Sequence, residues 1–248
     1  MYPATGHAVT GSRSPIGRPN LPESARFALL RAWLRQCNEH HECCKHQEES
    51  ESMMPTRVLY VGDSKDSDSI RLVYASETSR QQYVALSHCW GELSVKEKKG
   101  FCTTTENISQ RQKGLKVSSL PKTFQDAVTV TRELGVLYLW IDSLCIIQYG
   151  DGSEDWKREA GRMESVFSAA YCIIAATAAI DSNTGFLERD ISPEYVHVQD
   201  ASGKQFYIST DVDDFDKHVG EARLNKRGWV MQEQVLARRT IHFSANQT

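Results

Sequence analysis

The sequence predicts an α/β domain in which a mainly parallel sheet is flanked by helices. From residue 83 onward, segments with strand periodicity alternate with segments of helical periodicity, which is typical of parallel strands joined by helices. The apolar residues 137–141 show no alternation, as expected for a strand that is buried on both faces. A chain of 248 residues can bury one such core, and a second full-size domain is not expected.

The chain divides into three predicted segments. Residues 1–22 are rich in Pro and Gly and poor in large apolar side chains, so we expect a flexible lead-in. Residues 23–52 combine an amphipathic helix, which extends to about residue 46, with a polar linker. Residues 53–248 form the main domain, which begins with a small antiparallel β unit predicted at 57–61 and 70–74.

The elements of the two larger segments follow from periodicity and turn residues. The amino-terminal helix has an apolar face made by Phe27, Leu30, Trp33, Leu34 and Cys37. Further strands are predicted at 83–87, 137–141, 171–175, 205–209 and 239–243, and further helices at 121–134, 153–169 and 226–237. The helix at 121–134 is followed by Gly135, which suits the left-handed conformation that often terminates a helix.

Composition and charge exclude several classes of partner. The formal net charge is −3 and there is no basic footprint, so we expect no nucleic-acid partner. No apolar run approaches the ~18–20 residues that span a bilayer. Since the amino terminus also lacks a secretory signal, we expect a cytoplasmic protein with no membrane partner. The seven cysteines are odd in number and several lie in apolar segments, which indicates buried, reduced thiols.

Polar residues follow two predicted strands, at the edge where open α/β sheets bind ligands. These candidate substrate-binding residues are Ser87, His88, Trp90, Gly91, Asp142 and Ser143. Asp142 either caps the next segment or points its carboxylate into the crevice. The adjacent His88 and Cys89 also suggest a cysteine nucleophile, but neighbours in a strand point to opposite faces, so a cysteine hydrolase is the weaker alternative.

Glu159 is the candidate catalytic residue. Projected along a continuous helix at 153–169, it falls on the apolar face with Trp156, Met163 and Val166. A carboxylate there costs several kcal/mol unless it is paired, hydrogen-bonded or open to a pocket. The structural alternative is a buried ion pair with an arginine such as Arg132 or Arg227.

Two further groups of polar residues have open interpretations. Trp229, Gln232 and Glu233 share a helical face that forms either the wall of a binding pocket or an interhelical hydrogen-bond network. The tract at 37–46 contains the Cys and His residues that zinc prefers. Zinc ligands usually lie on separated knuckles, which one helix end cannot supply, so we predict no metal ligand and no cofactor.

Four blocks of the sequence resemble, in order, the blocks of a heterokaryon incompatibility (HET) domain. They are YVALSHCWG at 83–91, LPKTFQDAVTVTRELGVLYLWIDSLCIIQ at 120–148, DWKREAGRMESVFSAAYCIIAATAA at 155–179 and RGWVMQEQVLARRTIHF at 227–243. The departures are Phe167, where an aromatic hydroxyl is usual, and Val230-Met231 in the last block.

The resemblance implies an effector of fungal non-self recognition whose activation kills the fused cell. It implies self-association on activation, a regulatory carboxyl-terminal region and an incompatibility partner protein. HET domains are also similar to Toll/interleukin receptor (TIR) domains, which have a flavodoxin-like sheet and some of which cleave NAD+ with a glutamate. That similarity implies NAD+ or a related nucleotide as substrate, Glu159 as the catalytic residue, and Trp90 or Trp156 as a stacking wall.

Two alternatives to the enzyme stay open. The domain could be a non-catalytic signalling module that acts by self-association, in which case Glu159 is only a structural partner. A zinc-dependent nucleic-acid binder is disfavoured by the net charge of −3.

Overall fold

The α/β class is confirmed by the structure of the chain, a computed structural model. The structure describes residues 22–44, 54–62, 67–78, 82–188, 195–209, 215–228 and 230–245, without the side chains of Cys43, residues 195–198 and 205–209, Met231, Gln232 and Gln234. Most of the predicted lead-in at 1–22 and the polar linker therefore lie outside the described residues. No helix among the described residues combines the length and the apolar character needed to cross a membrane.

The main sheet is mixed rather than uniformly parallel. The strands in the described ranges are β1 (Arg57–Tyr60), β2 (Ser69–Tyr74), β3 (Tyr83–Ser87), β4 (Thr103–Thr104), β5 (Leu115–Lys116), β6 (Tyr138–Trp140), β7 (Ile147–Tyr149), β8 (Cys172–Ala175), β9 (Tyr195–Gln199), β10 (Gln205–Ser209) and β11 (Thr240–His242). Seven of them form the main sheet in the order β11-β8-β3-β6-β1-β2-β5. Neighbours from β11 to β6 are parallel, whereas β1 pairs antiparallel with β6 and β2, and β2 pairs antiparallel with β5.

The predicted small β unit at 57–61 and 70–74 is part of this sheet and not separate from it. Its two strands pair antiparallel as predicted. Leu59 also pairs with Leu139 of β6, and both side chains are fully buried. Joining the main sheet therefore removes apolar surface that an isolated two-stranded ribbon would leave in water.

The helices are mostly short. They are α1 (Glu23–His40), α2 (Val95–Phe101), α3 (Ile108–Lys113), α4 (Lys122–Glu133), α5 (Asp142–Cys145), α6 (Glu154–Ala160), α7 (Met163–Ala169) and α8 (Val230–Leu236). Single 3-10 turns occur at Glu42–Cys44, Ala75–Glu77, Val117–Ser119 and Arg223–Lys226, and a π-helical turn at Asp216–Gly220. As predicted, Gly135 follows the end of α4 in the left-handed conformation, with a φ of 76°.

The prediction of one continuous helix at 153–169 is wrong, because the helix is interrupted between α6 and α7. The amide of Arg162 bonds to the carbonyl of Glu159, a tightened i to i+3 turn, and a new helix starts after it. Residues of α6 and α7 therefore do not share the single apolar face that a straight projection gives them. Trp156 is 42% exposed, whereas Glu159 on the same helix is buried.

Some elements had no signal in apolar periodicity. The helix α2 is polar and is instead started by a capping box, in which Ser94 and Glu97 exchange hydrogen bonds. The strand predicted at 205–209 is present, but it pairs with β9 in a separate ribbon. The short strands β4 and β7 pair with each other outside the main sheet.

The amino-terminal helix α1 packs on the main domain. Phe27, Leu30 and Leu34 enter the same core as the central strands, whereas Trp33 is 45% exposed, so the predicted apolar face is narrower than expected. Arg31 donates a hydrogen bond to the carbonyl oxygen of Glu133 at 2.6 Å. The helix is thus held by both apolar burial and a polar contact to the end of α4.

Candidate functional site

The carboxyl ends of the parallel strands bring two of the predicted segments together. Because β3 and β6 are parallel neighbours, with Ala85 opposite Trp140, the residues that follow both strands reach the same edge of the sheet. Ser87 ends β3, and Asp142 comes directly after Ile141 at the end of β6. Six residues near this edge are called the Ser87 cluster: Ser87, His88, Trp90, Asp142, Arg227 and Glu233.

Glu233 is the buried carboxylate of the Ser87 cluster that accepts a hydrogen bond from Ser87. It lies on α8 with 7% of its surface exposed, and the hydroxyl of Ser87 donates a short hydrogen bond to its Oε2. Burial raises the pKa of Glu233, and the nearby Asp142 raises it further. The Ser87 hydroxyl and Arg227 lower this pKa but do not cancel the effect of burial.

Asp142 orients the indole ring of Trp90. Its Oδ2 accepts a hydrogen bond from the indole Nε1 at 2.9 Å, and its Oδ1 accepts one from the amide of Ser143 at 2.6 Å. Asp142 therefore does not act as a helix N-cap, and that position belongs to Ile141. Of the two interpretations offered by the sequence, the structure supports a carboxylate turned toward the polar loop after β3.

His88 is held neutral inside the cluster. Its ring is buried, with its centroid 5.0 Å from that of Phe124 in an edge-on contact and 6.5 Å from that of Trp90 in a nearly parallel one. Burial lowers the pKa of His88 to about 4. Among the described residues, its Nε2 has no hydrogen-bond partner, and its backbone carbonyl accepts a hydrogen bond from Arg227.

Gly91 allows the loop after β3 to pack closely on a second loop. Its φ is 83°, and a Cβ at this position would lie 2.4 Å from the Cβ of Asp181. Ser182 in the same second loop donates a hydrogen bond to the carbonyl oxygen of Trp90 at 3.2 Å. Only glycine combines this backbone conformation with this contact, so Gly91 shapes the site through its backbone.

The structure argues against Cys89 as a nucleophile. Its side chain packs in a small apolar cluster with Ala175, Leu224 and Val230, on the other side of the strand end from the His88 ring. Burial raises the pKa of the Cys89 thiol, which disfavours the reactive thiolate.

Glu159 belongs to a different group of charges. The Glu159 cluster consists of Thr56, Arg57, Asp155, Arg158, Glu159 and Arg162. The Oε1 of Glu159 accepts hydrogen bonds from Thr56 Oγ1 at 2.7 Å and from Arg158 Nε at 3.3 Å. Arg162 lies 3.9 Å from its Oε2.

The arginine partners of Glu159 differ from those proposed from the sequence. Arg132 instead donates to the carbonyl oxygen of Val61 at 2.8 Å, and Arg227 belongs to the Ser87 cluster. Within the Glu159 cluster, Arg57 and Asp155 form an ion pair in which both side chains are buried. Asp155 also accepts a hydrogen bond from the amide of Ile147 at 2.8 Å, so the cluster joins α6 to β1 and to β7.

The side chains of the remaining predicted site residues make no described contact with the Ser87 cluster or the Glu159 cluster. Ser143 is buried beside Asp142, and its Oγ has no hydrogen-bond partner within the described ranges. Trp156 is largely exposed on α6. Trp229 and the side chain of Gln232 lie outside the described residues.

Sequence reasoning did not identify the contact between Ser87 and Glu233 or the role of Arg227. The contact joins residues 146 positions apart, and Arg227 contacts a backbone carbonyl 139 positions away. Periodicity reports only neighbours along one element, so no local signal pairs these residues. Their positions in the first and last of the four sequence blocks were the available indication.

Comparison with models of protein families gives a match. The model of the family described as Heterokaryon incompatibility protein (HET) matches residues 83–233, which is more than half of the chain and includes all six residues of the Ser87 cluster. No curated protein and no solved structure matches the chain.

Proposed function

Because the chain belongs to the heterokaryon incompatibility (HET) family, we propose that its domain is the effector that kills the cell in an incompatibility response, and that it does so by hydrolysing NAD+. The bond cleaved is the one between nicotinamide and ribose, and the Ser87 cluster borders the site. The observation that carries this proposal is the buried Glu233 carboxylate at the carboxyl edge of the parallel strands, with its pKa raised.

The charges of the cluster favour a cationic ligand. Asp142 is close enough to Glu233 to disfavour its negative charge, and Arg227 provides one positive charge near Glu233. With both carboxylates ionised, the three groups carry a net charge of −1. The nicotinamide ring of NAD+ carries one positive charge, which would balance it and recover part of the cost of burying two carboxylates.

The chemistry needs few groups. The bond between the ribose anomeric carbon and the nicotinamide nitrogen breaks, and its electron pair leaves with nicotinamide as a neutral base, so no general acid is required. The positive charge develops on the ribose as an oxocarbenium ion. Water adds to the anomeric carbon and releases one proton, giving ADP-ribose, nicotinamide and H⁺.

Four residues of the Ser87 cluster have a role in this scheme. The Glu233 carboxylate stabilises the developing positive charge, and the Ser87 hydroxyl holds that carboxylate in place. The partly exposed indole of Trp90, whose orientation is fixed by Asp142, provides a stacking surface for nicotinamide.

Glu233 is better suited to this role than Glu159, which the sequence favours. The Glu159 carboxylate already accepts hydrogen bonds from Thr56 and Arg158, with the guanidinium of Arg162 close by. These cations neutralise the charge that an oxocarbenium ion would need. We propose that Glu159 stabilises the fold and that NAD+ enters as a substrate rather than as a resident cofactor.

The biological setting extends the proposal beyond this domain. We propose that a regulatory carboxyl-terminal region and an incompatibility partner protein control the domain, as the resemblance implies. Self-association on activation would raise the local concentration of sites and switch the enzyme on. We therefore expect low basal turnover in the isolated chain.

The test compares Glu233→Gln with Glu159→Gln in the full chain, both nearly isosteric and uncharged. Released nicotinamide is measured in vitro at high protein concentration, and killing is measured on expression in fungal cells. Glu233→Gln should lower turnover by about 10²-fold or more and abolish killing. Glu159→Gln should retain turnover in proportion to its folded fraction, as measured by circular dichroism.

Undiminished killing by a folded Glu233→Gln variant that no longer releases nicotinamide would refute the enzymatic proposal. It would favour the non-catalytic signalling module that acts by self-association. If the folded Glu159→Gln variant loses turnover while the Glu233→Gln variant stays active, Glu159 and not Glu233 is the catalytic residue.

A further inference from the structure

The end of helix α1 gathers three side chains that bind soft metal ions. Cys37, His41 and Cys44 each offer one ligand atom, and these three atoms all lie within 4.8 Å of one another. The group lies in the segment before β1, apart from the Ser87 cluster and the Glu159 cluster. We infer that Cys37, His41 and Cys44 form a zinc site that locks the end of α1 to the rest of the domain.

The backbone explains how so short a tract provides three converging ligands. Helix α1 ends at His40, and the amide of His41 still bonds to the carbonyl of Cys37 at 3.1 Å, so these two side chains lie one helical turn apart. The chain then turns back through the 3-10 turn Glu42–Cys44, in which the amide of Cys44 bonds to the carbonyl of His41 at 2.9 Å.

This turn answers the objection, drawn from the spacing of the residues, that one helix end cannot supply separated zinc ligands. A single straight helix cannot surround a metal ion, but a helix end followed by a tight turn presents ligands from two directions. Ligands at zinc–sulfur distances of about 2.3 Å in a tetrahedral site lie roughly 3.8 Å apart. The observed group needs to contract by only about 1 Å to reach this geometry.

The ligand chemistry selects zinc. Two thiolates and one imidazole form a borderline-soft donor set, and zinc accepts it in a tetrahedral arrangement whose fourth position a water molecule can fill. Binding displaces the two thiol protons and leaves the imidazole neutral. The burial differs among the three, since Cys44 is buried, Cys37 is half-buried and His41 is exposed, so the ion would sit at the surface with access to solvent.

The surroundings of the site indicate a structural role. The backbone carbonyl of Cys44 accepts a hydrogen bond from Arg239 at 2.9 Å, and the Arg239 guanidinium lies 4.7 Å from the ring centroid of Tyr171. From α1, Asn38 donates a hydrogen bond to the hydroxyl of Tyr171 at 3.3 Å. A metal that joins Cys37 to Cys44 would therefore close a ring of contacts between α1, its terminal turn and the segment before β11.

The test measures zinc in the full chain purified without added metal and with any affinity tag removed. Elemental mass spectrometry should find about one zinc ion per chain. The variants Cys37→Ser and His41→Ala should each reduce the bound zinc to less than one tenth of the wild-type amount. The control His40→Ala changes the exposed neighbouring histidine, whose Nδ1 lies 3.0 Å from the carbonyl oxygen of Gln36, and should keep the zinc.

Cobalt substitution and chelation provide independent readouts. Co²⁺ bound to the wild type should give the thiolate charge-transfer band and the strong visible absorption of a tetrahedral site, and both should be lost in Cys37→Ser. A chelator should lower the melting temperature of the wild type but not that of Cys37→Ser. A wild-type chain that is purified without zinc and fails to bind Co²⁺ through sulfur, or that carries a Cys37–Cys44 disulfide, would overturn the inference.

Discussion

The Ser87 cluster and the Glu159 cluster both bury acidic side chains near the edge of the sheet, but they stabilise them in opposite ways. In the Glu159 cluster, carboxylates are paired with the guanidinium groups of Arg57, Arg158 and Arg162. In the Ser87 cluster, Glu233 is bonded to a hydroxyl, and burial raises the pKa of this carboxyl while lowering that of His88. The first cluster pairs its carboxylates with guanidinium groups, whereas in the second burial disfavours the charged forms of Glu233 and His88.

This difference separates a structural cluster from a candidate site. Charges that are already paired gain little from binding a ligand. Removing one member of a buried pair leaves the other charge without a partner in a medium of low dielectric constant. A carboxylate and an imidazole with shifted pKa values respond instead to whatever charge enters beside them. Burial of an acidic residue is therefore a poor guide to function until its partners are known.

The largest effect is expected from removing a member of the Arg57–Asp155 pair. Asp155→Ala leaves the buried Arg57 guanidinium without its carboxylate, so the free energy of unfolding should fall by about 3–5 kcal/mol. The measurement is urea denaturation at neutral pH. The matched control is Arg158→Ala, whose side chain is 57% exposed and should cost less than about 1 kcal/mol. Equal losses for the two variants would mean that the Glu159 cluster is not organised around its buried pair.

The next effect concerns pH and His88. Since burial lowers the pKa of the folded-state imidazole from 6.5 to about 4, the unfolded chain takes up a proton that the folded chain does not as the pH falls between these values. Stability should therefore be lost on acidification, by roughly 3 kcal/mol relative to His88→Gln between about pH 7 and pH 4. Denaturation of both proteins across this range gives the difference.

Nuclear magnetic resonance provides a direct check on the same residue. The imidazole signals of His88 should remain those of the neutral ring down to about pH 5. Titration near the ordinary value of 6.5 would show that the ring is solvated, and the contrast between the two clusters would then rest on Glu233 alone.

The smallest effect distinguishes two buried serines beside the site. Ser87→Ala removes the hydroxyl that donates to Glu233 and should cost about 1–3 kcal/mol, because the carboxylate keeps its burial and loses a hydrogen bond. Ser143→Ala should have an effect near zero, since its Oγ has no partner in the described part of the chain. The free energy of unfolding of both variants is measured by urea denaturation. A larger loss for Ser143→Ala than for Ser87→Ala would mean that Ser143, and not Ser87, makes the stabilising hydrogen bond.

The sequence predicted the central part of the fold better than its periphery. Residues 137–141 and 171–175 are nearly continuous apolar runs, and the structure places strands β6 and β8 there. The boundary at Gly135 was predictable because a left-handed residue after a helix favours glycine. By contrast, the helix α2 depends on a capping box, and β9 forms a hairpin with β10, and hydrophobic periodicity indicated neither α2 nor β9.

The site illustrates the same limit. The rule that ligands bind beyond the carboxyl ends of parallel strands correctly predicted that Ser87 and Asp142 would face the same edge. The projection that favoured Glu159 correctly predicted its burial, but it assumed an unbroken helix and could not identify Thr56, 103 residues away, as a partner. Partners from other elements depend on tertiary structure, which a single periodic pattern does not encode.

The tight packing at Gly91 limits how the rim of the site can move. The loop that carries Trp90 packs closely against Asp181. The carbonyl oxygen of the next residue, Ser182, accepts a hydrogen bond at 3.1 Å from the amide of Thr123 at the start of α4. The two loops must shift together and pull on α4 if this side is to open. The indole is therefore held in place before any ligand arrives, and no separate lid is needed on this side to align it.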